Sequence, residues 1–396
     1  MSTMRPEIFG ALVGNLASHE EDLTGSHELA RRAVLRAAAH TSFALMDGRP
    51  ILFSEKNQKI YELNQISALI WCKLLDQTSL ESIYRELVEF GIERQNARSS
   101  VRQALQQWLD LELVEMEWKP KSGSALQTNL AQRKVRISAA NEELMKRLES
   151  LFCVFGRGTD QTDIAIEILQ LDGQMLFRNN RGGITRCQID GLAPAIKADL
   201  TERIILRDQP DFALHAASLT LKEKGLILCG QPGIGKSTLA LHLIDGGFRY
   251  CGDDIVLISP DGLAQGLPFA PTVKPGAWEA ISRIRNDLEH AVVHDRADGM
   301  RVRYLPLTDV HEGSFAAAWI IFLNRIGGAD ADLTPLSQIE TMGRVIGGSF
   351  AANGRLSQKA FAALKKILAE AKSFELTYGD ALLAARKLAG LCHGSS

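Results

Sequence analysis

The middle of this 396-residue chain reads Gly225-Leu-Ile-Leu-Cys229, Gly230-Gln231-Pro232-Gly233-Ile234-Gly235-Lys236-Ser237-Thr238 and Leu239-Ala-Leu-His-Leu-Ile244. The pattern predicts a short apolar strand, a glycine-rich turn and an amphipathic helix. The turn matches G-x-x-x-x-G-K-[ST] without a mismatch and stands in the strand–loop–helix context that this motif requires. We therefore predict that Gly230 to Thr238 bind a nucleoside triphosphate, rather than forming an ordinary glycine turn before a helix.

The residue types of this loop suit phosphate chemistry. Glycines let the backbone turn its N–H groups inward, where a side chain would block phosphate. The helix beginning near Lys236 directs the positive end of its dipole to the same place. Lys236 supplies a charge for the β- and γ-phosphates, and the Ser237 hydroxyl can bind Mg²⁺.

Two carboxylates follow the predicted helix. Asp253 and Asp254 lie 17 and 18 residues after Lys236, at the start of a second apolar strand. Phosphoryl transfer needs such groups, either to hold Mg²⁺ or to take a proton from an attacking hydroxyl. This short spacing is more typical of kinases that act on a hydroxyl than of GTPases or motor ATPases. The alternative is that the pair only ends a turn, where Asp is common.

Three segments together resemble serine/threonine kinases of the HPr kinase/phosphorylase type: Leu214-His215-Ala216, the loop from Gly230 to Ser237, and Gly252-Asp253-Asp254. The resemblance covers roughly residues 130–390 in layout and 214–258 in specific motifs. It implies that Asp254 is the general base, that His215 lies near the transferred phosphate, and that Ser237 binds the metal. We assign Asp253 to the metal as well, although the two carboxylates could exchange roles. A lone His beside apolar residues is also compatible with simple packing.

The sequence lacks the longer Glu-x-Arg-Gly-x-Gly signature of that family downstream. This departure places in doubt a reverse phosphorylase activity and HPr as the substrate. The chain is more similar to divergent HPr-kinase-related enzymes found near peptide-modification genes.

Two further basic residues are candidates. Lys274 follows Pro271-Thr-Val, where related kinases tend to have a Lys, and either contacts a phosphate or is an exposed loop residue. The polar stretch from His294 to Pro306 predicts a mobile loop that ends in a strand and could close over the triphosphate, with Arg303 at its end.

Residues 43–118 predict a small separate domain. Asp47-Gly48 indicates a tight hairpin turn, three helical patterns follow, and residues 113–118 alternate like a strand. The pattern Leu63-Asn64-x₄-Leu69-Ile70-Trp71, Ile83-x₃-Leu87 and Leu105-x₃-Leu109-x₃-Leu113 resembles the PqqD-like domain, whose relatives recognise peptides for modifying enzymes. A peptide could add as a strand to the hairpin edge. The alternative is a winged-helix-like module used only for oligomerisation.

The predicted organisation has four parts: a helical extension over 1–42 with a helix at 28–39, the PqqD-like domain 43–118, a linker 119–130, and an HPr-kinase-like P-loop domain 131–396. The expected fold class is α/β for the C-terminal domain, preceded by a small winged-helix-like α+β domain. Predicted strands at 134–137, 164–169 and 174–178, the last two joined by Asp172-Gly173, and a helix at 192–207 lead into the P-loop.

Composition excludes several classes. The formal net charge is −2, so no basic field suggests nucleic acid. No apolar run approaches 18 residues, and the first residues do not resemble a signal peptide. Six cysteines without C-x-x-C pairs suit a reducing cytoplasm. A homo-oligomer stays open.

The expected function is that of an ATP- and Mg²⁺-dependent kinase acting on a hydroxyl, with Ser of a ribosomally made peptide, or of a protein, as the acceptor. The alternatives are a small-molecule hydroxyl kinase, and a regulator that binds ATP without transferring phosphate.

Overall fold

The computed structural model describes residues 33–118, 124–139, 142–156, 161–171, 174–208, 212–350 and 356–394. The chain divides into two compact units, one of residues 1–120 with 169–174 and one of residues 121–168 with 175–396. The predicted turn at Asp172-Gly173 lies outside the described residues.

The N-terminal unit combines short strands with three helices. Its strands are β1 (Ala33–Ala37), β2 (Thr41–Met46), β3 (Arg49–Ser54), β4 (Lys59–Glu62) and β5 (Val114–Trp118). Its helices are α1 (Gln65–Leu75), α2 (Leu80–Glu89) and α3 (Arg94–Asp110). Strands β2, β3 and β4 form an antiparallel sheet, with the predicted hairpin at Asp47-Gly48, where both residues have positive φ.

Local signals and apolar periodicity explain the three helices. Asn64 and Ser79 cap α1 and α2 by accepting hydrogen bonds from the backbone N–H groups of Ser67 and Ser82. Trp71 of α1 meets Trp108 of α3 edge to face at 5.0 Å, and both are buried. The predicted succession of hairpin, three helices and final strand is therefore confirmed.

The prediction of a helix over residues 28–39 is wrong where it can be checked. Ala33–Ala37 is the strand β1, which pairs antiparallel with β5, so that Leu35 lies opposite Met116. Both of these side chains are buried. The segment has good helix formers, but pairing with a distant strand outweighs local propensity. Residues 28–32 lie outside the described residues.

The second unit begins with a five-stranded sheet, of which residues 169–171 and 174 are grouped with the first unit. It contains β6 (Ser124–Leu130), β7 (Arg133–Ala139), β8 (Ile164–Leu171), β9 (Gln174–Arg178) and β10 (Ile184–Gln188), in the order β10-β9-β8-β7-β6. Helices α4 (Glu142–Glu149) and α5 (Leu192–Asp208) share its core through Leu148 and Ile196. The prediction of a linker is wrong for residues 124–130, because they form strand β6, which pairs with β7 and buries alternate residues. The many polar residues of this segment made a linker the expected structure.

The rest of the second unit surrounds the glycine-rich loop. Its strands are β11 (Phe212–Leu214), β12 (Ala216–Leu221), β13 (Lys224–Cys229), β14 (Arg249–Gly252), β15 (Val256–Ile258), β16 (Ala264–Gly266), β17 (Thr272–Val273), β18 (Val293–Asp295), β19 (Arg301–Tyr304), β20 (Ala316–Arg325), β21 (Asp332–Pro335), β22 (Ser349–Phe350) and β23 (Lys372–Tyr378). Its helices are α6 (Lys236–Asp245), α7 (Pro275–Ser282), α8 (Gln338–Gly347), α9 (Gln358–Glu370) and α10 (Ala381–Gly394).

A six-stranded sheet in the order β14-β12-β13-β20-β23-β21 carries the loop at its centre. Strand β13 is parallel to β20, which is parallel to β23, whereas β12 is antiparallel to β13. Leu226 and Leu228 of β13 pack with α6 and α10, and Ile227 and Cys229 pack with α9 on the other face. Because both faces are covered, β13 is a continuous apolar run. Smaller sheets, β16-β15-β11-β22 and β17-β19-β18, complete this α/β unit.

Candidate active site

The loop between β13 and α6 has the backbone geometry that a phosphate cradle needs. Gly230, Gly233 and Gly235 have φ values of 155°, 86° and 113°. A Cβ on Gly235 would lie 3.0 Å from the Tyr378 hydroxyl, which donates a hydrogen bond to Ile234 O over 3.1 Å. The predicted loop residues Gln231, Pro232 and Gly233 are exposed, whereas Ser237 and Thr238, in the first turn of α6, are half-buried. Glycine is favoured at positions 230, 233 and 235 because a residue with a side chain would be strained at these φ values.

Lys236 is buried at the first position of α6. Its Nζ donates hydrogen bonds to Gly230 O over 2.8 Å and to Gln231 O over 3.2 Å, so the ammonium lies across the loop. Burial lowers the pKa of Lys236, and the nearby Asp253 and Asp254 carboxylates oppose this shift. Because the nearby carboxylates do not fully offset the cost of burying the Lys236 ammonium, an anionic ligand would stabilise its charge.

Asp253 lies directly beside the loop. Its Oδ2 accepts a hydrogen bond from Ser237 Oγ over 2.7 Å and one from the Thr272 N–H over 3.3 Å. Its Oδ1 is buried and accepts no hydrogen bond from any residue that the structure describes. Burial, and then the charge of Asp254, raises the pKa of Asp253.

These oxygens fit a magnesium ion. An orphaned carboxylate oxygen next to a hydroxyl supplies hard oxygen ligands. Within the described ranges no group of three or more His, Cys, Asp or Glu could hold a metal by itself. A magnesium ion held by Ser237 and Asp253 would take its remaining ligands from water and nucleotide phosphates, as is usual for this metal.

Asp254 has an unusual backbone and a basic partner. Its φ of 74° is rare for a residue with a side chain. Its Oδ2 accepts a hydrogen bond from Lys197 Nζ over 2.6 Å, and the carboxyl side chain is 38% exposed. Burial alone would raise the pKa of Asp254, but the charge and hydrogen bond of Lys197 outweigh it and lower the pKa to about 2. Asp254 is therefore a partly exposed carboxyl group whose pKa is held low by Lys197.

Sequence reasoning missed Lys197, although a signal was present. On α5 the buried positions Ala193, Ile196, Leu200 and Ile204 form one apolar face, and Lys197 falls on that face between them. A lysine there needs an anionic partner, because burying an unpaired charge is costly.

His215 lies at a bend between β11 and β12, rather than within a strand. Because Ala216 pairs with Cys229, His215 is placed beside Gly230 at the start of the loop. Its backbone N–H donates to Gly348 O over 3.4 Å. Burial, followed by the charge of Lys236, lowers the pKa of His215. The structure thus brings His215 close to the predicted phosphate and carboxylate residues.

The two remaining candidates differ. Lys274 precedes α7, is half-buried, and its charge helps to lower the pKa values of His215 and Lys236, so it lies near the site. Arg303 does not end a mobile loop, because residues 293–304 form the β18–β19 hairpin. Its guanidinium stacks over Trp278 at 4.5 Å and donates to Leu288 O over 2.8 Å. The structure therefore corrects the loop prediction and gives Arg303 packing contacts.

Two global features complete the description. The structure shows no helix long and apolar enough to cross a membrane in the part of the chain that it describes. All six cysteines are free thiols.

A family model and a curated protein are similar to parts of this chain. The family model of coenzyme PQQ synthesis protein D (PqqD) matches residues 50–114. The HPr kinase/phosphorylase of Lachnoclostridium phytofermentans is 30% identical over 118 residues, which cover 29% of this chain and 35% of that protein. The chain thus spans about a third of the length of this curated relative.

Two solved structures are also similar. TbiB1 in complex with the TbiA(beta) leader peptide is 20% identical, covers 20% of this chain and 94% of its own, and has a TM-score of 0.19. The HPr(Ser) kinase/phosphatase from Coxiella burnetii is 13% identical. The match covers 46% of this chain and 95% of that structure, and its TM-score is 0.22. The family match and the curated relative confirm the resemblances seen in the sequence: the chain matches the PqqD family model over residues 50–114 and is similar to HPr kinase/phosphorylase over 118 residues.

Proposed function

We propose that this chain is an ATP- and Mg²⁺-dependent kinase that phosphorylates a serine hydroxyl of a peptide or protein, with a ribosomally made peptide as the favoured substrate class. The observation that carries the proposal is the hydrogen bond from Ser237 Oγ to Asp253 Oδ2, with Asp254 as the next residue. It joins a phosphate-binding loop to two carboxylates in one site. Phosphoryl transfer requires these parts together.

Each residue has a defined task in this proposal. Lys236 and the loop N–H groups bind the β- and γ-phosphates, while Ser237 and Asp253 hold Mg²⁺, which neutralises charge on those phosphates when bound. Asp254 orients the acceptor hydroxyl and accepts its proton. His215, which lies beside Gly230, is near the transferred phosphate and assists Asp254. The buried contact of Asp253 with Ser237 and the partial exposure of Asp254 favour this division of roles.

The N-terminal unit supports a peptide as the acceptor. In the sheet β2-β3-β4 the register places Met46, Phe53 and Ile60 on one face, because alternate residues of a strand share a side. All three are exposed, Ile60 by 60%. Strands β2 and β4 are the edges of this sheet, and exposed apolar side chains on its face suit an extended peptide that adds to an edge. The PqqD match over residues 50–114 is consistent with this role.

The test uses the full chain, γ-labelled ATP and Mg²⁺ with two acceptor sets, serine-containing peptides and small alcohols. Label on a peptide supports the proposal, and its loss on adding EDTA supports the metal. Label on a small alcohol would instead indicate a metabolite kinase. Bound ATP with no transfer to either set would indicate a nucleotide-binding regulator.

A further inference from the structure

Lys197 is a second largely buried cation beside Lys236 in the site, and it has several partners. Its Nζ donates to Asp254 Oδ2 over 2.6 Å and to Thr272 Oγ1 over 2.8 Å. The same atom lies 5.8 Å from the ring centroid of Phe269 and 5.6 Å from that of Tyr304. The ammonium is therefore held from several directions by groups that favour a positive charge.

The two members of the ion pair differ in exposure. The Lys197 side chain is 12% exposed, whereas that of Asp254 is 38% exposed. Asp254 Oδ1 accepts no hydrogen bond from residues within the described ranges, while Oδ2 is bound to Lys197. Lys197 is thus the more fixed partner, and Asp254 is the more exposed one.

The backbone of Asp254 needs such a fixed partner. A positive φ at a residue with a side chain is strained and persists only when surrounding contacts enforce it. Thr272 strengthens the restraint because it contacts both Asp253 and Lys197: its N–H donates to Asp253 Oδ2 and its hydroxyl accepts from Lys197 Nζ. Loss of the lysine would therefore release Asp254 more than Asp253.

We propose that Lys197 is the positioning residue of the phosphotransfer site, which holds Asp254 by Oδ2 so that Oδ1 meets the acceptor hydroxyl. This inference rests on the proposed kinase function. As the acceptor oxygen bonds to the γ-phosphorus and the bond to the ADP oxygen breaks, the hydroxyl proton passes to Asp254 Oδ1. Lys197 stays protonated throughout and does not touch the nucleotide.

The test compares Lys197→Met and Lys197→Arg with a control on the same helix. Arg203 forms an ion pair with the buried Asp199 through Nε and Oδ2 at 2.6 Å, so Arg203→Met removes a comparable pair away from Asp254. For each variant kcat, KM and the Kd for ATP are measured, with the folded fraction from thermal unfolding.

We expect kcat of Lys197→Met to fall about 100-fold, because misplacing a catalytic group by 1 Å has effects of that size. The Kd for ATP should stay within about twofold, since the loop is untouched. Lys197→Arg should recover part of kcat, and Arg203→Met should keep it. If Lys197→Met does not fold, Thr272→Val takes its place, with a smaller loss of kcat expected.

Two results would overturn the inference: an unchanged kcat in Lys197→Met, or a loss of kcat accompanied by an equal loss of ATP affinity. Failure of the proposed kinase function would give a different result, because the wild-type chain would then leave all label in ATP.

Discussion

Ser237 Oγ lies 2.7 Å from Asp253 Oδ2 and donates a hydrogen bond to it, which links the start of α6 to the residue that follows β14. Both oxygens come from one strand–helix–strand segment, whose two strands are held in the sheet by pairing with β12 between them.

Removing this hydroxyl should weaken binding of the metal–nucleotide complex. For Ser237→Ala we expect the Kd for ATP with Mg²⁺ to rise about tenfold or more, since a hydrogen bond to a charged group is worth about 1.5–3 kcal/mol. Calorimetric titration measures the Kd for ATP. In samples with EDTA, the Kd of Ser237→Ala should differ little from that of the wild type. Ser282→Ala, which removes a hydroxyl bonded to Trp278 O over 2.7 Å in α7, is the matched control. Equal weakening with and without Mg²⁺ would contradict the metal role.

Gly252 leaves no room for a side chain. A Cβ there would lie 2.5 Å from Leu267 N and 2.7 Å from Leu267 O. Both are main-chain atoms, so Gly252→Ala should lower the free energy of unfolding by about 1–3 kcal/mol. It should also displace the adjacent Asp253 and weaken MgATP binding.

Gly343 in α8 is the control for this prediction, because a Cβ there meets nothing within 4 Å. Gly343→Ala should stabilise the chain by up to about 1 kcal/mol through helix propensity. Urea unfolding checks both variants. If the two alanines had the same effect, the close approach at Gly252 would be disproved.

His294 should make stability depend on pH. The ring is buried, with Nε2 3.1 Å from Ser150 Oγ. Burial, then the charge of Arg147, lowers the pKa of His294 to about 4, although Asp190 and Asp295 oppose the shift. Because the ordinary value is about 6.5, the unfolded chain takes up the proton first as the pH falls. This contribution to stability is complete above pH 6.5 and is lost towards pH 4, by roughly 3 kcal/mol in total.

Urea unfolding at several pH values measures this loss. His294→Gln should have a shallower slope between pH 6.5 and 4, whereas His290→Gln, at an exposed position, should keep the wild-type slope. An unaltered slope in His294→Gln would show that other groups cause the pH dependence.

Phe53 should contribute to peptide binding. It lies opposite Ile60 in the sheet of the N-terminal unit, and both are exposed. Phe53→Ser should raise KM for a peptide about tenfold, because burying a large apolar side chain is worth about 1.5–3 kcal/mol. The Kd for ATP should not change. Phe90→Ser, at an exposed helix end of the same unit, is the control. An unchanged KM in Phe53→Ser would place the peptide elsewhere.

Local patterns predicted the parts of the molecule that fold from contiguous residues. The loop from Gly230 to Ser237 and the Asp pair were found because motif, strand and helix follow one another. The three helices of the N-terminal unit were found because their apolar residues repeat with the helical period.

Contacts between distant residues escaped prediction. Lys197 and Asp254 are separated by 57 positions, and no local pattern joins them. Ala33–Ala37 is helix-like by composition and becomes a strand only because β5 pairs with it. The polar residues around Arg303 predict a loop, although they form a short hairpin.

The most direct test of the central claim is the rate at which label moves from γ-labelled ATP to a serine peptide in the wild type and in Asp254→Asn. We predict that the wild type transfers label and that the rate in Asp254→Asn is lower by about 100-fold or more. A positioned general base contributes about 100- to 10,000-fold to the rate. The Kd for ATP should be nearly the same in both. Undiminished transfer by Asp254→Asn would contradict the account.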